Sequence, residues 1–327
     1  MRPLLELQDL TREFRARTFA RSGVIRAVDR VNLRLYPGEV LGLVGESGCG
    51  KSTLARCACK LIEPTSGSIL FDGIDLRSLS SSSLRQKRRE FQMVFQDPLA
   101  SLDPRMTVEA LLSEPYELQG LGTPRERKTW IGELMEAVAL DSSLAPRLPR
   151  SLSGGQQQRV GIARALALKP RLLIADEPVS ALDASIQAQI LNLLSALRTR
   201  YDLTIMLLSH SLPVIHYLSS RVAVMYLGRI VEEAPADSFF TAPRHPYSQA
   251  LVQSMPVLNH VFQASRPVLA GEIPSPAHPP PGCHFHPRCP SVMPVCRDKY
   301  PALSASAENA KVACFLYTQE IFDGGAP

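Results

Sequence analysis

The sequence predicts an α/β fold in which strands and helices alternate to build a parallel sheet. One indication is Val40–Val44, an apolar strand that runs through a glycine-rich turn into a helix starting near Lys51. A second is the pair of buried strands Leu172–Ala175 and Leu203–Leu208. Between them, the apolar residues of Ile190–Leu197 fall on one helical face. Strand, helix and strand in that order are typical of a parallel sheet.

Two segments differ from this pattern. Between about Asp97 and Leu152, helical patches such as Lys128–Leu140 alternate with prolines, which predicts a mainly helical insertion. After about Pro243 prolines become frequent and periodicity fades, which predicts a small irregular C-terminal module. The expected boundaries are residues 1–250 for the main domain, about 97–165 for its helical subdomain, and 251–327 for the C-terminal module.

Composition limits the classes of function. With 327 residues, 45% hydrophobic and 20% charged, the chain can form one large domain and a smaller one. Glu6 and Asp9 interrupt any secretory signal, and no apolar stretch is long enough to span a membrane. The net charge of +5 is weak support for a nucleic-acid partner, because the densest basic run, Arg85–Arg89, is followed by Glu90 and is typical of a solvated helix face.

A phosphate-binding loop follows the first strand. The sequence Gly-Glu-Ser-Gly-Cys-Gly-Lys-Ser fits G-x-x-x-x-G-K-[ST] and lies between a strand and a helix. Its backbone N–H groups are expected to surround the phosphates, Lys51 to reach the β- and γ-phosphates, and Ser52 to ligate Mg²⁺. The residues expected to bind ATP here are Gly45, Glu46, Ser47, Gly48, Cys49 (backbone only), Gly50, Lys51, Ser52 and Thr53.

The strand Leu172–Ala175 ends in two carboxylates, Asp176 and Glu177. The carboxyl ends of strands are where α/β proteins bind ligands. Asp176 is expected to orient hydrated Mg²⁺, and Glu177 to polarise the water that attacks the γ-phosphorus. An acidic strand end before Pro178 is by itself typical of a turn; beside a phosphate-binding loop it predicts ATP hydrolysis.

A third motif, Leu152–Gln156, opens a helix with Ser-Gly-Gly, which is typical of a second phosphate-facing helix N-terminus. LSGGQ, between GESGCGKST and RLLIADEP, resembles the signature of ABC-transporter nucleotide-binding domains. The resemblance implies a P-loop NTPase with a RecA-like core, an N-terminal antiparallel β part and a helical subdomain. Its signature residues Ser153, Gly154, Gly155 and Gln156 would contact ATP held by a second subunit.

The resemblance implies further site residues. Gln96 is similar to the Q-loop glutamine that senses Mg²⁺ and the attacking water. Asp183 is similar to the D-loop aspartate that crosses the dimer interface, and His210 to the switch histidine that contacts the γ-phosphate. The family usually has an acid after this histidine, whereas this chain has Ser211.

The resemblance also implies an aromatic residue that stacks on adenine. Phe14 is the candidate, with the nearby Phe19 as an alternative. An aromatic at a strand end is also commonly just a packing residue.

Each motif occurs once and the insertion is short, unlike soluble ABC ATPases of repair or translation, so the chain is expected to be half of a head-to-tail pair. The segments 96–105, 224–229 and 244–251 resemble dipeptide/oligopeptide importer ATPases, in particular the second ATPase subunit. This implies a paralogous ATPase partner, two transmembrane permease subunits and a periplasmic or extracellular peptide-binding protein, with no nucleic acid. The chain would lie at the cytoplasmic face of the inner membrane, touching it only through the permease. Nickel and glutathione importers use similar subunits.

Four cysteines, Cys283, Cys289, Cys296 and Cys314, lie in the proline-rich C-terminal segment. A segment with little core of its own is often held together by a metal. Zinc is one candidate, with His284 and His286 nearby, and buried unligated thiols are the alternative without metal. The family resemblance implies a [4Fe–4S] cluster.

Overall fold

The computed structural model describes residues 2–18, 21–255, 271–306 and 309–317. The chain divides into two units. The first comprises the residues up to Leu5, Leu35–Val40 and Phe71–Ser209. The second comprises Glu6–Arg34, Leu41–Leu70 and the residues from His210 onward.

The strands, in chain order, are β1 (Leu5–Thr18), β2 (Arg21–Leu35), β3 (Val40–Val44), β4 (Ser66–Phe71), β5 (Ile74–Asp75), β6 (Phe91–Val94), β7 (Leu172–Asp176), β8 (Thr204–Ser209), β9 (Arg221–Tyr226), β10 (Arg229–Pro235), β11 (Ser304–Ala305) and β12 (Lys311–Val312). The helices are α1 (Lys51–Ala58), α2 (Ser81–Lys87), α3 (Pro98–Ser101), α4 (Val108–Leu118), α5 (Pro124–Ala137), α6 (Gly154–Leu166), α7 (Ala184–Tyr201), α8 (Leu212–Leu218), α9 (Ala236–Thr241), α10 (Pro246–Gln253) and α11 (Val295–Asp298). None of these helices is both long enough and apolar enough to cross a membrane.

The first unit contains the parallel strands β6, β7 and β8. Phe91 is in register with Leu172, and Leu172 with Thr204. Every residue of β7 and β8 is buried, which is typical of parallel strands covered on both faces. The connection between β7 and β8 is α7, whose buried residues are the predicted face Ile190, Leu191, Leu194 and Leu197. The predicted parallel strand–helix–strand arrangement is confirmed.

In the same unit, the regular secondary structure from Pro98 to Leu166 is entirely helical and comprises α3 to α6 with two short 3₁₀ turns. Tyr116 of α4 packs on Trp130 of α5 with ring centroids 5.0 Å apart. Arg164 of α6 pairs with Glu114 of α4 at 2.8 Å.

The basic run Arg85–Arg89 starts in the last turn of α2, a helix without buried residues. Two of its side chains also bond the end of α4, since Arg85 donates to the Leu118 carbonyl and Arg89 to Gln119, each at 2.6 Å. The run therefore includes structural contacts as well as a solvated face.

The second unit contains β3, β9, β10, β12 and β11, hydrogen-bonded in that order. The pair β3–β9 is parallel, and the remaining pairs are antiparallel. Strands β2, β1 and β4 are neighbours in a separate sheet. The strand β12 belongs to the cysteine-containing segment, and its Val312 is in register with Glu232 of β10. Part of that segment thus adopts regular sheet structure.

Candidate functional site

The backbone of the phosphate-binding loop needs glycine at two positions, Gly45 and Gly50. It connects β3 to α1, whose N-cap residue, Gly50, has no side chain to cap the first N–H groups of the helix. A Cβ atom on Gly45 would lie 2.2 Å from the Met225 carbonyl oxygen. Gly50 has φ +110°, and a Cβ there would lie 2.0 Å from the Ala27 carbonyl oxygen. Only glycine fits at both positions.

Lys51 is 5% exposed, and its ammonium lies inside this loop. The Nζ donates to the carbonyl oxygens of Gly45 at 2.7 Å and Glu46 at 3.0 Å. The loop therefore holds a cation where phosphate oxygens are expected. Ser52 and Thr53 follow in the first turn of α1, both half-buried. Cys49 is buried, and burial raises the pKa of its thiol.

Glu46 has contacts that the sequence did not predict. Its carboxylate accepts two hydrogen bonds from the Arg288 guanidinium, at 2.8 and 3.0 Å. Its backbone N–H donates to the Tyr247 hydroxyl at 2.8 Å. Arg288 lies 242 positions after Glu46 in the sequence, so no local pattern could reveal the pair. The only sequence clue is its place directly before Cys289.

The two acidic residues at the end of β7 lie next to Gln96, as the predicted site requires. Asp176 is 1% exposed at the last position of the strand. Glu177 follows with φ +47°, a strained backbone conformation for this residue type. The Gln96 amide donates to Glu177 Oε2 at 3.1 Å. Ser180, at the start of the predicted D-loop, donates its hydroxyl to the Glu177 carbonyl oxygen at 3.1 Å.

The signature motif forms the capped start of α6. The Ser153 hydroxyl accepts from the Gln156 N–H, and the Gln156 side chain accepts from the Ser153 N–H at 2.9 Å. A Cβ on Gly155 would lie 2.7 Å from Ile186 of α7, and one on Gly154 would lie 3.3 Å from Leu182. The glycines therefore permit close packing and leave an exposed N-terminus at Ser153.

The remaining predicted residues lie on exposed surface. Asp183 precedes α7, and His210 follows β8. Phe14 is 36% exposed on β1, and the Arg12 guanidinium lies 4.5 Å from its ring centroid. An exposed aromatic is available for stacking. Phe19, the alternative, lies outside the described residues.

The four C-terminal cysteines line one cavity of about 10 Å³, together with His286. Burial, with a contribution from the neighbouring thiols, raises the pKa of Cys283 to about 11 and of Cys314 to about 12. His284 does not line this cavity; it packs on Tyr300 with ring centroids 5.1 Å apart.

The cavity has the sulfur donors that an iron–sulfur cluster requires, but its volume is near that of a single water probe. Within the described ranges, no three His, Cys, Asp or Glu side chains are placed to hold a single metal ion. The zinc alternative therefore has no preformed single-ion site in this arrangement.

Comparison with known proteins agrees with this geometry. Residues 28–180 match the ABC transporter family, and residues 231–296 match the oligopeptide/dipeptide transporter C-terminal region. The chain is 48% identical over 321 residues to the oligopeptide transport ATP-binding protein AppF of Bacillus subtilis (strain 168), covering 96% of this chain and 98% of that protein. It is 49% identical over 293 residues to a probable peptide ABC transporter ATP-binding protein of Sinorhizobium fredii, covering 90% and 83%.

A similar fold occurs in a solved dimeric ATP-binding cassette in a post-hydrolysis state with ADP and Pi. The TM-score is 0.64 at 31% identity, over 71% of this chain and 98% of that one.

Proposed function

Because the chain belongs to the ABC transporter ATP-binding proteins that carry the oligopeptide/dipeptide transporter C-terminal region, we propose that its ATP hydrolysis powers uptake of dipeptides or oligopeptides. The observation that carries the proposal is the agreement with a peptide-transport relative along almost the whole chain, C-terminal segment included. The ATPase works at the cytoplasmic face of the membrane and reaches it through permease subunits. A binding protein outside the membrane delivers the peptide.

In the proposed reaction, the loop Gly45–Ser52 binds the triphosphate, with Lys51 neutralising phosphate charge. Ser52 and Asp176 orient hydrated Mg²⁺, and Phe14 stacks on adenine. Glu177 accepts a proton from the attacking water while the water oxygen bonds to the γ-phosphorus. The bond between the γ-phosphorus and the oxygen that bridges it to the β-phosphate breaks in the same step. The hydrogen bond from Gln96 supports this role, because it fixes the direction of the carboxylate.

The phosphate product contains the oxygen atom of the attacking water. ADP stays on the loop until ATP replaces it. His210 is proposed to contact the γ-phosphate from its position after β8. Gln96 links the chemistry to the helical segment that follows it, since Asp97 caps α3 by accepting from Ala100 at 3.1 Å.

The proposed working unit contains two ATPase subunits in head-to-tail arrangement, the second a paralogue of this chain. The signature residues Ser153–Gln156, with Asp183, act on ATP bound to the partner's loop. The exposed, capped start of α6 supports this role, since a helix N-terminus that faces solvent can receive a phosphate from outside.

Reconstituted transporter tests the function directly. ATP-dependent uptake of labelled dipeptide and oligopeptide should occur with wild-type chain and fail with Glu177→Gln, while ATP binding is retained. The exposed Glu136→Gln serves as the matched control and should transport normally. Uptake of nickel or glutathione without peptide uptake would reject the proposed substrate.

Nucleotide occupancy tests the arrangement of subunits. Ser153→Arg should block ATP at the site built on the partner's loop and leave the site at Lys51 filled. Ser142→Arg, on an exposed turn of the same unit, is the control. Equal loss at both sites would contradict the head-to-tail assignment.

For the C-terminal segment we propose that Cys283, Cys289, Cys296 and Cys314 hold a [4Fe–4S] cluster with a structural role. Their convergence on one cavity supports the proposal. Chain purified without oxygen should contain iron and labile sulfide. Cys289→Ser should lose both, whereas Cys57→Ser, in α1, should retain them. Stoichiometric zinc would rule out the cluster but leave a structural metal in place. Metal-free protein would rule out both the cluster and any structural metal.

A further inference from the structure

Arg288 of the C-terminal segment contacts Glu46 of the phosphate-binding loop. The Glu46 carboxylate and the Arg288 guanidinium form a bidentate pair, with Nη1 to Oε2 at 2.8 Å and Nη2 to Oε1 at 3.0 Å. Two parallel charge-assisted hydrogen bonds fix both distance and orientation. Glu46 is therefore held in one position by a residue far along the chain.

The arginine of this ion pair is buried, and the glutamate is half-buried. The Arg288 side chain is 4% exposed and that of Glu46 is 21% exposed. The guanidinium lies beside the rings of Tyr226 and Phe285, at 6.0 and 5.9 Å from their centroids. At such a buried position a charge left without its partner is strongly unfavourable. The pair thus resists rearrangement of the loop.

The backbone of Glu46 is fixed as well. Its N–H donates to the Tyr247 hydroxyl, and its carbonyl oxygen accepts from Lys51 Nζ at 3.0 Å and from the Cys49 N–H at 3.3 Å. Tyr247 itself is fully buried and packs on Tyr226 and Phe285. The carboxylate and the backbone N–H of Glu46 are consequently held by two residues outside the loop, Arg288 and Tyr247.

The position of Arg288 is in turn set by the cysteine-containing segment. It ends the 3₁₀ turn His286–Arg288, directly before Cys289. The Arg288 N–H closes the turn by donating to the Phe285 carbonyl oxygen at 3.0 Å, and the His286 N–H connects the turn to the Cys283 carbonyl oxygen at 3.0 Å. The Cys283 N–H donates to the Cys296 carbonyl oxygen at 2.8 Å. A change in this segment would therefore move the arginine.

We propose that Arg288 is a positioning residue for ATP binding: it holds the loop in its phosphate-binding conformation and neutralises the Glu46 carboxylate, which would otherwise repel the triphosphate. The proposal rests on the role proposed for Gly45–Ser52 as the ATP site. When a ligand binds only the ordered loop, its apparent affinity is proportional to the fraction of molecules in which the loop is ordered, so affinity falls as that fraction falls. The loop contacts the phosphates before and during reaction, so its loss of order raises KM more than it lowers kcat.

The test measures binding of a fluorescent ATP analogue to the full chain, and KM and kcat for ATP in the assembled transporter. Arg288→Gln should weaken binding and raise KM about tenfold with kcat nearly unchanged, which corresponds to an ordered loop in about a tenth of the molecules. Arg288→Lys keeps the charge and should recover part of the affinity. Arg297→Gln, an exposed arginine of the same segment, is the control and should bind like wild type.

A double variant that removes both charges distinguishes repulsion between Glu46 and the triphosphate from a general loss of structure. Glu46→Gln combined with Arg288→Gln leaves no unpaired charge and should bind within about threefold of wild type, since the two sites are coupled. Should Arg288→Gln not fold, Tyr247→Phe removes the acceptor for the Glu46 N–H and should raise KM in the same direction.

Two results would overturn the proposal: an unchanged KM in Arg288→Gln, or a double variant that binds ATP no better than Arg288→Gln. If Arg288→Gln does not fold, an unchanged KM in Tyr247→Phe overturns the proposal instead. Failure of the proposed function looks different. In that case wild-type chain itself would not bind the ATP analogue, and Lys51→Ala would make no difference.

Discussion

Acid should destabilise the chain through His245, a histidine that is 1% exposed. It caps α10, where its Nδ1 accepts the Tyr247 N–H at 3.1 Å. Burial lowers the pKa of His245 to about 3. Protonation would remove the acceptor and place a charge among buried groups, so the folded protein excludes the proton.

The size of the effect follows from the two pKa values. The unfolded chain has a histidine pKa of about 6.5, so the unfolded state binds more protons between about pH 6.5 and 3. The contribution of His245 is therefore complete above pH 6.5 and is lost as the pH falls through this window. At about 1.4 kcal/mol per pH unit, the free energy of unfolding should fall by about 2.5 kcal/mol between pH 7 and pH 4.5.

Urea unfolding followed by circular dichroism at both pH values measures this loss. His245→Asn keeps a side-chain acceptor at the helix cap but does not titrate. It should lose about 2.5 kcal/mol less than wild type between the two pH values. Titrating carboxylates, such as the buried Glu232 whose pKa is raised by burial, are common to both proteins and cancel in the comparison. His216→Asn, at an exposed histidine, should behave like wild type. Equal acid losses in wild type and His245→Asn would refute the reasoning.

Three further outcomes are expected. Gln96→Ala should lower kcat for ATP about tenfold or more while ATP affinity is kept, because Glu177 loses its orienting hydrogen bond; unchanged turnover in the assembled transporter would count against this. Gly155→Ala should destabilise the protein by about 1–3 kcal/mol in urea unfolding through its clash with Ile186, and adding Ile186→Ala should relieve the clash. Ile190→Ala, at a fully buried position of α7, should cost about 2–5 kcal/mol in the same assay, and a cost near zero would contradict its place in the core.

Local signals explain which parts of the fold could be predicted from the sequence. The strand at Val40–Val44 has the predicted bounds, because a short apolar run before a glycine turn is a strong local pattern. The helix after Ser153 starts where the serine and Gln156 form a capping box, which is also set by neighbouring residues. The buried face of α7 follows from helical periodicity alone.

Other features depend on residues that meet only after folding. The pairing of Arg288 with Glu46 joins positions 242 apart, and neither residue type indicates the other in sequence. The shifted pKa of His245 arises from burial under groups on several elements, so composition carries no trace of it. The helix α10 was not predicted, since its segment Pro246–Gln253 lies in a proline-containing region where periodicity is weak. Strand β12 is only two residues long, too short for alternation to reveal.

Strand β12 limits where the chain can be truncated. Lys311 and Val312 cover β10, and the Ala313 N–H adds a bond to the Val231 carbonyl oxygen at 2.8 Å. A fragment that stopped at residue 250, the expected end of the main domain, would lack this cover and leave the edge of β10 opposite β9 without these hydrogen bonds. An uncovered strand edge is a template for pairing with other chains. Such a fragment should aggregate through β10 even where its phosphate-binding loop is intact.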